Sequence, residues 1–354
     1  MSRTTDISSS PLPPPTLRLG FDAEALAANW RALDLLSGKA AAGAAVKADA
    51  YGVGAARVVP VLAAAGCRMF FVAHWREVPA LLPHVAPESI AVLHGPASAE
   101  EVAYARATGV WPVINSVAQA RAWSAGGGGT CHLMVDTGMN RLGVSLEDLG
   151  DPAIAALEID ICLSHLASAD EDVSQNEAQR RAFVSVQGAV RARRYSLANS
   201  AGIALGSAYH ADLTRPGLAL YGGIARAELA GQIRQVVHPE AVLLQVRKLK
   251  AGDKVGYNAL FTAAGDMRVG VLSLGYADGY LRCWSGIGSF RWQGRKAPVL
   301  GRVSMDLTIV DLGEMPDCGE GEWLTADYDL PCAAAASGLS QYELLTLMGQ
   351  RFGR

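Results

Sequence analysis

Beyond a first stretch with no apolar pattern, LRLGF at 17–21 alternates hydrophobic and polar positions as a strand does. DAEALAANWRALDLLSG then carries its apolar residues at helical spacing behind Asp22, which reads as an N-cap. Short apolar runs follow, separated by helical connections: GAAVKA, MFFVAH, IAVLHG, VWPVIN, HLMVDT, IDICLSHL, a polar helical stretch from Gln175 to Arg191, and RPGLALYGG. Such alternation predicts βα units and a parallel sheet, and about eight strands predict a closed (β/α)8 barrel of the TIM type. From about Leu229 the pattern changes to β-alternating runs joined by Gly and Asp turns, AVLLQVRKLKAGDKVGYN, MRVGVLSLGYADGY, SFRWQGRKAPVLGRV and MDLTIVDLG. These predict a C-terminal antiparallel β domain. The expected layout is a disordered tail over 1–16, an α/β barrel over 17–228 and the β domain over 229–354.

With 354 residues, half of them hydrophobic, the chain can bury the core of a barrel and of a smaller domain. A net charge of −3 offers no basic face for nucleic acid and no polybasic membrane anchor. The opening residues lack the apolar core of a secretory signal, and no run approaches the roughly 20 apolar residues of a spanning helix. Six cysteines without CxxC spacing fit reduced thiols in the cytoplasm better than disulfides or zinc. Gly126 to Gly129 lack the following Lys and Ser or Thr of a phosphate loop and read as a flexible turn.

Chemistry enters at AVKADAYGVG, 45–54, where Lys47 ends an apolar stretch that reads as a buried strand. Burial at a strand end would lower the lysine's pKa and leave a neutral amine, the form that condenses with an aldehyde cofactor. Tyr51 and the glycines beyond it suit a phosphate, which a hydroxyl and closely approaching backbone amides can meet. Taken alone, the run fits a solvated lysine on a strand-to-helix loop better.

Seven further segments change that balance: MVDTGMNRLGV (134–144), SHLASAD (164–170), LANSAGI (197–203), RPGLALYGG (215–223), VGYNALF (255–261), GYADGY (275–280) and GRVSMD (301–306). With AVKADAYGVG, and in this order, they resemble bacterial alanine racemases, fold-type III enzymes that use pyridoxal 5'-phosphate (PLP). The similarity spans about residues 17–345. It implies that the first strand packs with the C-terminal domain, and that the enzyme is a homodimer with shared sites.

The resemblance implies that Lys47 carries the cofactor and then acts as one base. Tyr257 from the partner subunit is implied as the other. A tyrosine needs nearby positive charge to act as a base near neutral pH. Arg215 is implied to face the pyridine nitrogen, with His165 hydrogen-bonding it, and Arg141 to lie near the phenolic oxygen and the substrate carboxylate. Many relatives carry at position 134 a lysine that becomes carbamylated and braces that arginine; here it is Met134. Tyr51, Ser200, the amides of Gly217 and Leu218, and Tyr342 match the phosphate-binding set. Tyr276, Met305 and Asp306 would line the entrance from the partner, the Met305 amide touching the substrate carboxylate. Asp278 and Asp306 lie in separate β segments without further clustered ligands, so no metal site is expected.

The resulting expectation is PLP-dependent racemisation of L- and D-alanine. The alternatives are a fold-type III racemase or decarboxylase acting on another amino acid, and a non-catalytic PLP carrier built of a single barrel. Decarboxylation needs no second proton donor on the opposite face, so Tyr257 favours racemisation. The β domain and Tyr257 both speak against a carrier.

Overall fold

The computed structural model describes residues 13–348 and 351–352, so most of the expected tail, 1–12, lies outside them. The described residues form two compact units: 21–237 with 329–347, and 13–20 with 238–328, 348 and 351–352.

The larger unit is a ring of parallel strands. It follows β1 (Leu17–Phe21) and opens with α1 (Ala23–Leu36), whose first turn is capped by the Asp22 carboxylate accepting from Ala25 N–H at 2.8 Å. β2 (Ala41–Ala42) and β3 (Ala44–Ala45) are one strand broken at Gly43, where the pairing changes sides. Gly43 N–H donates to the Thr214 carbonyl and Ala44 N–H to that of Met69. A Cβ at 43 would come within 2.9 Å of both the Met69 carbonyl oxygen and the Phe71 ring. Only glycine fits there.

β4 (Phe70–Val72), β5 (Ile90–Val92), β6 (Trp111–Ile114), β7 (Thr130–Met134), β8 (Glu158–Leu163) and β9 (Arg194–Ser196) follow in sequential parallel order. β10 (Leu213–Thr214) closes the ring by pairing with β2 in the register Leu213↔Ala41. On its other flank, Asp212 N–H donates to the Tyr195 carbonyl and Arg215 N–H to that of Ala198. With β2 and β3 taken as one strand, this is the expected eight-stranded barrel. Met69, Phe71, Ala91, Val113, Met134, Ile161, Leu163 and Leu213 are buried together in its interior.

Two strands differ from the sequence reading. β9 is the short, half-polar RYS, which carries no apolar run to announce it. In RPGLALYGG the strand ends before the run begins, and Leu218–Tyr221 is a 3₁₀ turn in which Leu220 N–H bonds the Gly217 carbonyl. Pro216 has no N–H to continue a ladder. The helices Leu330–Ser337 and Gln341–Thr346, grouped by sequence with the β domain, cluster instead with the barrel. Gln341 ties them there, its side chain accepting from Ile224 N–H at 2.8 Å and donating to the Ile224 carbonyl at 2.9 Å.

The second unit is built on a seven-stranded sheet. Its strands are β1, β11 (Val237–Leu249), β14 (Met267–Leu272), β15 (Ser289–Trp292), β16 (Arg295–Leu300), β17 (Thr308–Asp311) and β18 (Trp323–Ala326). They are ordered β1-β11-β14-β17-β16-β15-β18, and β18 also pairs with β11. The pairings from β11 to β18 are antiparallel, as expected, and β1 joins this sheet. β12 (Lys254–Val255) and β13 (Phe261–Thr262) form a separate antiparallel ribbon whose connection carries Tyr257.

Candidate active site

The barrel's strand C-termini surround a cavity of about 880 Å³. Lys47 follows β3, Ala73 follows β4, Leu93 and His94 follow β5, and Met134 and Arg141 come from β7 and its loop. His165 follows β8, Asn199 and Ser200 follow β9, and Arg215, Gly217 and Leu218 follow β10. Tyr342 and Thr346 complete the wall. Among the described lining residues, Lys47, Arg141 and Arg215 are cationic and none is a carboxylate. Such a wall selects an anion.

Lys47 opens a turn of unusual backbone. Ala48, Asp49, Ala50 and Tyr51 all have φ between 53° and 56°, a left-handed turn of four non-glycine residues. Each costs roughly 1–2 kcal/mol relative to the right-handed form, so other bonds must hold them. Ala50 N–H reaches the Val46 carbonyl, Gly52 N–H that of Ala48 and Gly54 N–H that of Asp49, each at 2.8 Å. The Asp49 carboxylate accepts from Ala55 N–H at 2.7 Å. Glu77, unremarked in the sequence, accepts from the N–H groups of Ala48 and Asp49 and, through its other oxygen, from Ala73 at 2.7 Å and His74 at 2.9 Å. Burial pushes the Lys47 amine below the usual lysine range, and Arg141 lowers it further; Glu77 pulls it up, and Arg215 again lowers it.

Arg215 is 6% exposed and donates to Ser196 Oγ at 2.5 Å and to the Ser164 carbonyl. Burial draws its guanidinium down to about 10, so it stays charged at neutral pH. The expected His165–Arg215 hydrogen bond is replaced by these two: the backbone one residue before His165 supplies the acceptor. Burial, followed by the charges of Arg215, Arg141 and Lys47, lowers His165 to about 3, leaving a neutral ring on the cavity wall. Gln179 holds the His165 backbone, donating to its carbonyl at 2.9 Å.

Arg141 sits on an exposed loop anchored by Asp136, whose carboxylate accepts from the N–H groups of Gly138 at 2.8 Å and of Met139 and Arg141 at 2.9 Å. Burial raises this carboxyl, but the donated N–H bonds, led by that of Gly138, outweigh it and hold the group below its ordinary range. The carboxylate thus fixes the backbone from which the Arg141 guanidinium departs, while Met134 packs into the barrel interior.

In the same cavity wall, Ser200 Oγ accepts from Gly217 N–H at 2.9 Å and Ala219 N–H at 3.2 Å. Asn199 caps the short helix that Ser200 begins, accepting from Gly202 N–H at 2.8 Å. The Tyr51 ring stacks on Tyr221 at 4.9 Å between centroids and lies 6.2 Å from that of Tyr342. Burial raises both Tyr51 and Tyr342, so their hydroxyls keep protons to donate. Tyr51, Ser200, Gly217, Leu218 and Tyr342 thus line one cavity with Lys47, and the hydroxyl and amide donors fit a phosphate.

The remaining expected residues belong to the β unit. Tyr257 is 67% exposed on its ribbon and Met305 is 53% exposed. Tyr276 N–H donates to the Ser304 carbonyl and Ala277 N–H to that of Met305, each at 3.0 Å, so GYADGY and GRVSMD support one another. Between Asp278 and Asp306 stands Arg351, Nε donating to the first and Nη1 to the second, each at 2.7 Å. The chain supplies its own cation there.

Residues 21–225 match the family model "Alanine racemase, N-terminal domain", and 236–354 match "Alanine racemase, C-terminal domain". The chain belongs to the alanine racemase family. It is 40% identical over 353 residues to the alanine racemase of Acidiphilium cryptum (strain JF-5), covering 96% of this chain and 98% of that one. The crystal structure of alanine racemase from Bartonella henselae with covalently bound pyridoxal phosphate is similar, with a TM-score of 0.86 and 35% identity over 96% of this chain and 99% of that one. The biosynthetic alanine racemase of Pseudomonas aeruginosa superposes with a TM-score of 0.85 at 31% identity, covering 96% and 99%. Barrel and antiparallel sheet are therefore the alanine racemase fold, and the family is one of isomerases. Among the described residues, no helix is long and apolar enough to cross a membrane.

Proposed function

We propose that this chain interconverts L- and D-alanine with PLP, using Lys47 of one subunit and Tyr257 of the partner subunit as the two bases of a homodimer. The observation that carries the reading is Lys47 with Arg141 and Arg215 in a cavity lined by no described carboxylate and shared with Tyr51, Ser200 and Gly217. The Bartonella henselae relative, whose PLP is covalently bound, supports the cofactor.

When bound, PLP supplies the electron sink without which an α-proton is too weakly acidic for a side chain. Lys47 would hold it covalently, and its lowered pKa favours the neutral, proton-accepting amine. Tyr257 serves the opposite face, so each direction of reaction uses both groups. Arg215, fixed by Ser196 and Ser164, would offer the pyridine nitrogen a cation that does not readily give up a proton. Such a partner would weaken the sink and limit leakage into transamination. His165, neutral beside Arg215, adds no competing charge. Arg141 orients the substrate carboxylate, and Tyr51, Ser200, the amides of Gly217 and Leu218, and Tyr342 hold the phosphate.

Tyr276, Met305 and Asp306 line the substrate entrance offered to the partner's barrel. Exposed Tyr257, Leu260, Met305 and Leu307 on the β unit, and Leu142 and Tyr342 on the barrel unit, support burial by a second copy. The six cysteines are all free, which supports a reducing, cytoplasmic setting. The test is formation of D-alanine from L-alanine by the purified protein with PLP, with decarboxylation products followed in parallel. Racemisation lost in Lys47→Ala supports the reading; an amine product without D-alanine replaces it with a decarboxylase.

A further inference from the structure

Glu77 takes no part in the chemistry set out above, yet two strand ends converge on its carboxylate. Oε1 accepts from Ala48 N–H and, at 3.4 Å, from Asp49 N–H, the first two amides of the left-handed turn. Oε2 accepts from Ala73 N–H at 2.7 Å and His74 N–H at 2.9 Å, just beyond β4. We infer that Glu77 is a positioning residue that fixes Lys47 and Tyr51 by clamping their left-handed turn to the end of β4.

The inference rests on the reading of Lys47 as the cofactor lysine. Its physical basis is the turn itself. The first two amides of this four-residue left-handed turn, those of Ala48 and Asp49, come before its internal bonding, which Ala50 N–H begins by reaching the Val46 carbonyl, so they need acceptors from elsewhere. A carboxylate can accept all four N–H bonds at once, because both oxygens are acceptors and neither carries a proton. Lys47 precedes the turn and Tyr51 ends it, so one clamp sets the spacing between the covalent anchor and a phosphate hydroxyl.

A role as counter-ion to Lys47 makes a different prediction. The Glu77 charge pulls the Lys47 amine upward, but among the described residues no ion pair joins the two, and the hydrogen bonds Glu77 accepts all come from backbone amides. Glutamine at 77 keeps the size but turns an NH₂ toward one pair of amide donors, so half of the clamp is lost. Aspartate keeps the charge but shortens the reach, so it loses bonds as well. A counter-ion role would spare aspartate.

The test uses full-length Glu77→Gln and Glu77→Asp, with Lys47→Ala as control. Circular dichroism checks the fold, hydrogen exchange reads amides 48–51 in the apoprotein, and the absorbance of lysine-bound cofactor titrates PLP. Both Glu77 variants should keep the barrel's circular dichroism, exchange faster at 48–51 than wild type, and bind PLP roughly tenfold more weakly. KM for L-alanine at saturating PLP should move less. Wild-type PLP affinity and wild-type protection at 48–51 in a folded variant would overturn the clamp. So would a defect in Glu77→Gln that Glu77→Asp restores, which is the counter-ion signature. Covalent absorbance surviving in Lys47→Ala would instead remove the reading of Lys47, while exchange at 48–51 still decides the clamp. Should Glu77→Gln fail to fold, Glu77→Asp carries the same measurements.

Discussion

Tyr51 Oη stands 2.3 Å from the point where a Cβ on residue 217 would lie, so this wall of the cavity closes as it does because that residue is glycine. Tyr51 comes from the turn after the first barrel strand and Gly217 follows the last. Their close approach therefore depends on closure of the ring.

Gly217→Ala follows directly. The added methyl has to displace Tyr51, which is stacked on Tyr221, and the backbone amide at 217 moves with it. An overpacked site of this kind costs roughly 1–3 kcal/mol, so PLP affinity should fall by roughly ten- to a hundredfold. Absorbance titration of the apoprotein measures this, and unaltered affinity would separate Gly217 from the phosphate.

Arg215→Glu tests the proposal that Arg215 faces the pyridine. A carboxylate there favours a proton on the ring nitrogen and a stronger electron sink, so pyruvate formed per racemisation should rise. Product analysis by coupled assay gives the ratio. An unchanged ratio would show that the Arg215 charge does not restrain transamination.

His132 gives a stability prediction away from the site. Its ring is fully buried, neither nitrogen has a hydrogen-bond partner among the described residues, and burial lowers it to about 4 against the opposing pull of Asp160. Unfolded histidine titrates near ~6.5, so between that pH and 4 the unfolded chain binds a proton that the native state refuses. Stability therefore falls as pH falls through this window, by about 3 kcal/mol for this group. His132→Phe, packing beside Trp111, should flatten the pH dependence of unfolding between pH 6.5 and 4. Urea titrations at a series of pH values would show whether the slope persists.

Much of this was legible in the sequence wherever apolar runs and function coincide. The AGAAV run before Lys47 places the lysine at a strand end, and the β alternation after Leu229 separates the second sheet. β9 is hidden because RYS is short and half-polar, with Ser196 serving as a hydrogen-bond partner for Arg215. Glu77 and Asp136 are hidden for another reason. Both act by accepting backbone N–H bonds in loops, and no side-chain spacing announces an acceptor whose partners are amides. The bond expected between His165 and Arg215 went to the preceding backbone carbonyl, a choice made by loop geometry.

The shared site is the central claim, and mixing two inactive proteins tests it most directly. Lys47→Ala and Tyr257→Phe chains, co-refolded in equal amounts, should give about half heterodimers, each with one intact site and one doubly damaged site. Activity should then return to roughly one quarter of wild type. Recovery no greater than the sum of the two separate mutants, with subunit exchange demonstrated, would contradict it: Lys47 and Tyr257 would then serve the same site from one chain.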